Sequence, residues 1–187
     1  MPRVADDILI GGMRLFIVED NNGTKEYYDL GWLSGEFRYN RTGDTTTVKE
    51  SEGQTVLVIA TNIEEHFTFS MLECNTDTLL KLNPSATPIG GAGDTTSDGK
   101  GFATGTFQSD ETFTFEAWMK KRSGQYHCIR IFNAKVSGDF TMFLMNQDDA
   151  SPIDIDIIAI ADKNRPTNHN LSEQFDCDAS KAPGGGW

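Results

Sequence analysis

The sequence predicts a mainly β fold: two packed antiparallel sheets, as a β-sandwich or half-barrel, with one short flanking α-helix, an extended loop and terminal arms. Three observations predict it. Runs rich in β-branched and aromatic residues recur between turn-forming clusters, DNNGTK at 20–25, RTGD at 41–44, SEGQ at 51–54 and RSGQ at 122–125. Several runs alternate apolar and polar residues, the period of a half-buried strand. One segment alone, 75–82, carries helix signals.

The elements follow in order. Residues 1–12 are a mixed lead-in that ends on Gly11 and Gly12, and 14–18 (RLFIV) is a short strand. Asn22-Gly23 suits a tight turn because both residues tolerate positive φ. Residues 36–40 and 45–50 read as two strands separated by a turn at 41–44. The run 55–61 (TVLVIAT) suits a buried strand, and 62–65 connects it to 66–72. There Phe67, Phe69 and Met71 share one face, opposite His66, Thr68 and Ser70. Asn75 is a capping residue type, Leu79, Leu80 and Leu82 give the helix an apolar side, and Pro84 stops it. Residues 84–101 form a long Gly/Ser/Thr/Pro loop, of a length that is uncommon without a function. Strands resume at 112–121, 126–132, 141–145 and 153–161. Beyond them, 162–187 is polar and reads as a tail with little structure of its own. The expected organisation is an N-terminal arm at 1–13, a β domain at 14–161 containing the 84–101 loop, and a C-terminal arm at 162–187.

Charge narrows the function. With 28 acidic and 16 basic side chains the formal net charge is −12. Such a surface repels nucleic-acid phosphates, which argues against a reader of DNA but not against a wall that DNA slides past. Three cysteines at wide spacing (Cys74, Cys128, Cys177) suggest neither a disulfide framework nor a zinc site. The first ten residues, MPRVADDILI, lack the apolar core of a signal peptide. No stretch approaches the ~18 apolar residues of a membrane-spanning helix, so no membrane anchor is expected.

Chemistry-bearing motifs fail on inspection. The loop around Lys100 is no phosphate loop, since Asp94 stands where glycine is needed and Gly101 follows the lysine. Asp94, Asp98 and Gly99 lack the distal ligands of a calcium loop. His66, His127 and His169 sit on separate segments without metal-ligand spacing. His127 and Cys128 are neighbours on one strand and point to opposite faces. Asp154 and Asp156 share a strand face, about 6.5–7 Å apart. A solvated acidic face is the plain account of them, and no enzymatic activity and no cofactor are expected.

The order of motifs carries a resemblance. Residues 28–37 (YDLGWLSGEF), the apolar pair TVLVIAT and HFTFSML, the helix TDTLLKL, the stretch 128–136 (CIRIFNAKV) and the closing strand at 153–162 resemble, in sequence order, the major tail proteins of siphophages. The resemblance spans about 29–162. It implies a structural subunit of a bacteriophage tail tube, made in the bacterial host cytoplasm and residing in the virion tail. It implies rings of six copies whose strands close a continuous barrel, and rings that stack. Partners would be other copies of the chain, a tape-measure protein, an initiator or baseplate, and a terminator, with DNA passing through transiently during ejection. Asp154 and Asp156 are the candidate lumen-facing acids. Gly90, Gly91, Asp94, Asp98 and Lys100 are the candidate inter-ring loop. The alternative is a carbohydrate-binding β-sandwich on a virion or cell surface, stacking sugars on Trp32, Trp118 and Tyr126.

Overall fold

The computed structural model describes residues 9–50, 55–72, 76–84, 86–90, 101–103, 110–142, 152–185 and 187. The chain is mainly β, with one curled antiparallel sheet forming a half-barrel, a second small sheet and one short helix. The strands are β1 (Leu9–Asn21), β2 (Thr24–Asp29), β3 (Leu33–Lys49), β4 (Thr55–Met71), β5 (Thr87–Ile89), β6 (Gly101–Ala103), β7 (Phe113–Lys121), β8 (Tyr126–Met142), β9 (Ile153–Ile160) and β10 (Ser172–Cys177). Helix α1 (Thr76–Leu82) follows β4. The main sheet runs β2-β1-β7-β8-β9-β4-β3, with β10 also paired to β8, and β5 pairs with β6 apart from it.

The Asn22-Gly23 turn joins β1 to β2 in a two-residue hairpin, with φ of 57° and 86° and Asn21 opposite Thr24. Four strands, β1, β3, β4 and β8, are longer than sequence patterning suggests, and β8 joins the expected strand at 126–132 to the start of the one expected at 141–145, of which 143–145 lie outside the described residues. The expected turn at 41–44 and the connection at 62–65 are strand, and β3 and β4 each run through them. A bulge absorbs the irregularity: the register shifts between Thr42 and Asp44, Asn62 takes a φ of 51°, and its Nδ2 donates to Asp44 at 2.9 Å. A Gly-Asp pair inside a strand mimics a turn in sequence, whereas here it accommodates an extra residue. β1 begins at Leu9, within the segment assigned to an N-terminal arm.

Strand β8 organises the second half. Its first part, 126–131, lies between β7 and β10, and its second part, 133–142, pairs with β9. β9 and β10 thus succeed one another along one edge of β8. The segment after Ala161 was expected to lack structure, and it carries β10 instead. Its hydrogen bonds come from β8 rather than from a local partner, so no hairpin signal marks it.

One face of the sheet holds the core. Leu15, Ile17, Phe67, Phe69, Met71, Phe115, Ala117, Ile129, Ile131, Ile153, Ile155 and Ile157 are buried there. Phe67 stacks on Tyr39 at 4.7 Å and meets Phe115 at 5.6 Å between ring centroids. Leu79 and Leu82 place one side of α1 against this core, which stabilises a helix too short to persist alone.

Candidate functional site

Among the described residues the features that stand out are sheet edges and faces. The path of the main sheet ends at β2 on one side and β3 on the other, so each leaves an edge unpaired among the described residues. Open edges are templates for pairing with another chain.

β3 and β4 also outrun the sheet. β9 pairs with β4 at 66–71 only, while β3 and β4 continue to pair with each other as far as Lys49 and Thr55. The distal part is a free two-stranded ribbon in which every described residue of 40–50 and 57–62 is exposed. Register places Val48 opposite Leu57 and Thr46 opposite Ile59, so three large apolar side chains share one face of the ribbon. Val58 stands on the other face, 57% exposed. The run TVLVIAT was expected to be buried, and the structure corrects this at 57–61, which no element covers among the described residues. Its alternation with the polar TTTVK across the ladder was the available signal.

The opposite face divides into two halves. Over β9, β4 and β3 it is bare and polar. Asp154 lies opposite Ser70 and Asp156 opposite Thr68. Ser70 Oγ donates to Asp154, and Ser137 Oγ donates to Asp156 at 2.6 Å. His66 Nδ1 lies 3.2 Å from Asp156, and its Nε2 lies 3.9 Å from Glu64. Glu36 and Arg38 complete a shallow trough with Thr68, Ser70 and the two aspartates. The two candidate acids therefore sit together on a solvated sheet face, held by hydroxyl donors.

Over β1, β7 and β8 the same face is covered. Phe16, Val18, Trp118, Tyr126, Cys128 and Ala182 form a second buried cluster, with Tyr27, Phe175 and Trp187 packed against it. At its centre Glu116 is fully buried. It accepts from Arg130 Nε at 2.6 Å and Trp118 Nε1 at 2.7 Å, and Arg130 also pairs with Glu173 of β10. Burial and the Glu116 charge push the Cys128 thiol well above its ordinary value, which leaves it a poor nucleophile. His127 points away from it, to Asp176 at 2.8 Å. Among the described residues, no group of three or more His, Cys, Asp or Glu side chains is placed to hold a metal.

The sugar-stacking trio does not assemble on a surface: Trp118 and Tyr126 are buried, and only Trp32 is exposed, at 77%. Of the candidate loop residues, Gly90 directly follows β5, while Gly91, Asp94, Asp98 and Lys100 lie outside the described residues.

No protein-family model matches the chain, and no curated protein sequence does. Among solved structures the chain is similar to a sheath–tube component of the extended PVC extracellular contractile injection system, at 12% identity and a TM-score of 0.49, covering 93% of this chain and 95% of that one. It is similar to that system's sheath/tube terminator, at 10% identity and a TM-score of 0.48, covering 90% and 96%. It is also similar to the tube-terminating cap of the anti-feeding prophage, at 13% identity and a TM-score of 0.43, covering 95% and 100%. At such identities and scores the likeness carries no role over to this chain.

Proposed function

We propose that the chain is a structural subunit of a bacteriophage tail tube. The observation that carries this reading is an unfinished barrel: a curled sheet with β2 and β3 unpaired at its two ends. Pairing the β3 edge of one copy with the β2 edge of the next satisfies both rows of backbone groups. Such a contact is heterologous, so repetition closes a ring when the rotation per copy divides a full turn. The ordered motifs that resemble siphophage major tail proteins support six copies per ring and stacking of rings into a tube.

In this reading the polar face over β9, β4 and β3, opposite the core, lines the lumen. Asp154 and Asp156 then present carboxylates to passing DNA, and like charge keeps the duplex from sticking to the wall. Residues 84–101 serve contacts between rings, and the tape-measure, initiator or baseplate, and terminator proteins bound the tube. The chain performs no catalysis and resides in the virion tail.

Native mass spectrometry tests the ring. The expected species is a closed oligomer six times the 20.7 kDa chain. A ladder of dimers, trimers and higher forms with no preferred size would remove closure from the account.

A further inference from the structure

Trp32 is 77% exposed, yet its backbone is tied down. Leu30 N–H donates to Leu15 O at 2.9 Å, and Leu72 N–H donates to Trp32 O at 2.8 Å, so the β2–β3 connection is held on both sides of Gly31. Gly31 makes the turn at a φ of 81°. The indole therefore stands on a fixed stem, beside an open cleft of about 760 Å³ lined by Gly12, Met13, Arg14, Asp29 and Trp187. Small-ligand sites span roughly 300–1,000 Å³ and pair apolar walls with a few convergent polar groups.

The polar groups of this cleft are set in place. Arg14 Nη2 pairs with Asp29 Oδ2, and the guanidinium lies 4.9 Å from the Trp187 ring centre and 5.3 Å from that of Phe16. Asp29 Oδ1 accepts the Gly31 N–H at 3.0 Å. The two side chains nonetheless remain 40% and 30% exposed. They offer unused N–H donors and unused carboxylate lone pairs side by side. Trp187 Nε1, in the wall beside Gly12, has no hydrogen-bond acceptor among the described residues.

These features select a ligand class. A flat aromatic face next to a donor–acceptor pair matches a pyranose ring, whose C–H bonds make one apolar face and whose neighbouring hydroxyls each donate and accept. A purely apolar ligand would desolvate Arg14 and Asp29 without giving them new partners. The net charge of −12 disfavours an acidic glycan. Pre-set side chains lose little freedom when the ligand arrives. Of the three aromatic residues that the sequence suggested for sugar stacking, Trp32 alone belongs to this cleft.

We propose that the cleft between Trp32 and Trp187 binds a neutral pyranose sugar, stacked on Trp32 and hydrogen-bonded by Arg14 and Asp29. The site lies within one copy of the chain and does not depend on the tail-tube reading.

Saturation-transfer difference NMR of the purified chain with maltose, cellobiose, lactose and N,N′-diacetylchitobiose tests it, because the sugar is observed whether the chain is a monomer or an assembly. At least one disaccharide is expected to show transfer concentrated on the C–H protons of one ring face. Trp32→Ala should weaken binding of that sugar about tenfold or more. Asp29→Asn, which keeps an oxygen for the Gly31 N–H, should weaken it too. Circular dichroism checks that both variants fold; Trp32→Gln and Arg14→Gln replace them if either does not. Leu57→Ser, on the exposed ribbon, should bind as the wild type does. No transfer to any of the four sugars overturns the inference and leaves the tail-tube reading standing. Transfer undiminished in Trp32→Ala overturns it as well, since the sugar then sits elsewhere. Transfer to a proline-rich peptide and to none of the sugars overturns it in favour of a peptide site.

Discussion

Glu116 Oε1 lies 2.6 Å from Arg130 Nε across the β7–β8 ladder, inside a cluster where Glu116 has no solvent exposure. The pair locks β10 as well, because Arg130 reaches on to Glu173 and lies over the Phe175 ring at 4.8 Å. Removing Arg130 leaves the buried Glu116 carboxylate with Lys25 Nζ, 3.7 Å away, as its remaining cation. Arg130→Met is therefore expected to destabilise the fold by about 3 kcal/mol, and Glu116→Leu by less, since Arg130 keeps Glu173. Replacing both partners by apolar residues, Glu116→Leu with Arg130→Met, should cost less than either single change. Urea unfolding of the three variants checks the ordering, and simple additivity would refute the coupling.

Phe67 touches Tyr39, Phe37 and Phe115 and has no exposure. Phe67→Ala opens a cavity where β3, β4 and β7 meet over the core and should cost about 3–5 kcal/mol. Thermal unfolding would show it as a large fall in Tm. A small change would mean that the core collapses around the gap.

Asp176 docks β10 through Lys121 Nζ at 2.8 Å and His127 Nδ1 at 2.8 Å. Those hydrogen bonds, Lys121 first, hold its pKa below the ordinary carboxylate value. A depressed folded pKa contributes stability above the unfolded value of about 3.9, and that stability is lost as pH falls through the folded value. Hydrogen-exchange protection factors in β10 should therefore fall below about pH 4, and less so in Asp176→Asn. The carboxylate is nearly half exposed, so the effect is small. Protection factors that are flat with pH in the wild type would contradict it.

Gly12 adopts a φ of +64°, and a Cβ built there would stand 3.7 Å from Trp187 Nε1. It lies in the register break between Leu9 and Met13 that bends β1 beside Trp187. Gly12→Ala should cost about 1–2 kcal/mol through backbone strain rather than through collision. The tryptophan emission maximum should hold nearly steady while the unfolding midpoint falls. A red shift would indicate that Trp187 had been displaced.

Asp154→Asn/Asp156→Asn keeps oxygen acceptors for Ser70 and Ser137 while removing two charges per copy. Assembly is expected to proceed as in the wild type. Asp154→Lys/Asp156→Lys should instead give assemblies that retain duplex DNA at low salt and release it as salt rises. Failure of the Asn variant to assemble would show that this face is a structural contact and not a lumen wall.

Much of this was legible before the fold. Alternation at 66–72 and 153–157 identified the core face, and the helix lay where its leucines and Pro84 put it. What escaped depends on distant partners. β10 gains its ladder from β8, 41 residues away at the pairing of Ser172 with Ile131. Glu116 looks like a surface residue of an alternating strand until residues 172–187 cover it. The ribbon was read as core because its sequence is apolar, and apolar character does not distinguish burial within one chain from burial between two. Asp154 and Asp156 lie opposite Ser70 and Thr68 on one face of the sheet, and the identity of the space beyond that face is a property of the assembly.

The most direct test of the tail-tube reading is negative-stain electron microscopy of the purified wild-type chain at high concentration. The account predicts hollow tubes of uniform width built from stacked rings. A monodisperse monomer at every concentration, with β2, β3 and the ribbon still unpaired, would contradict it.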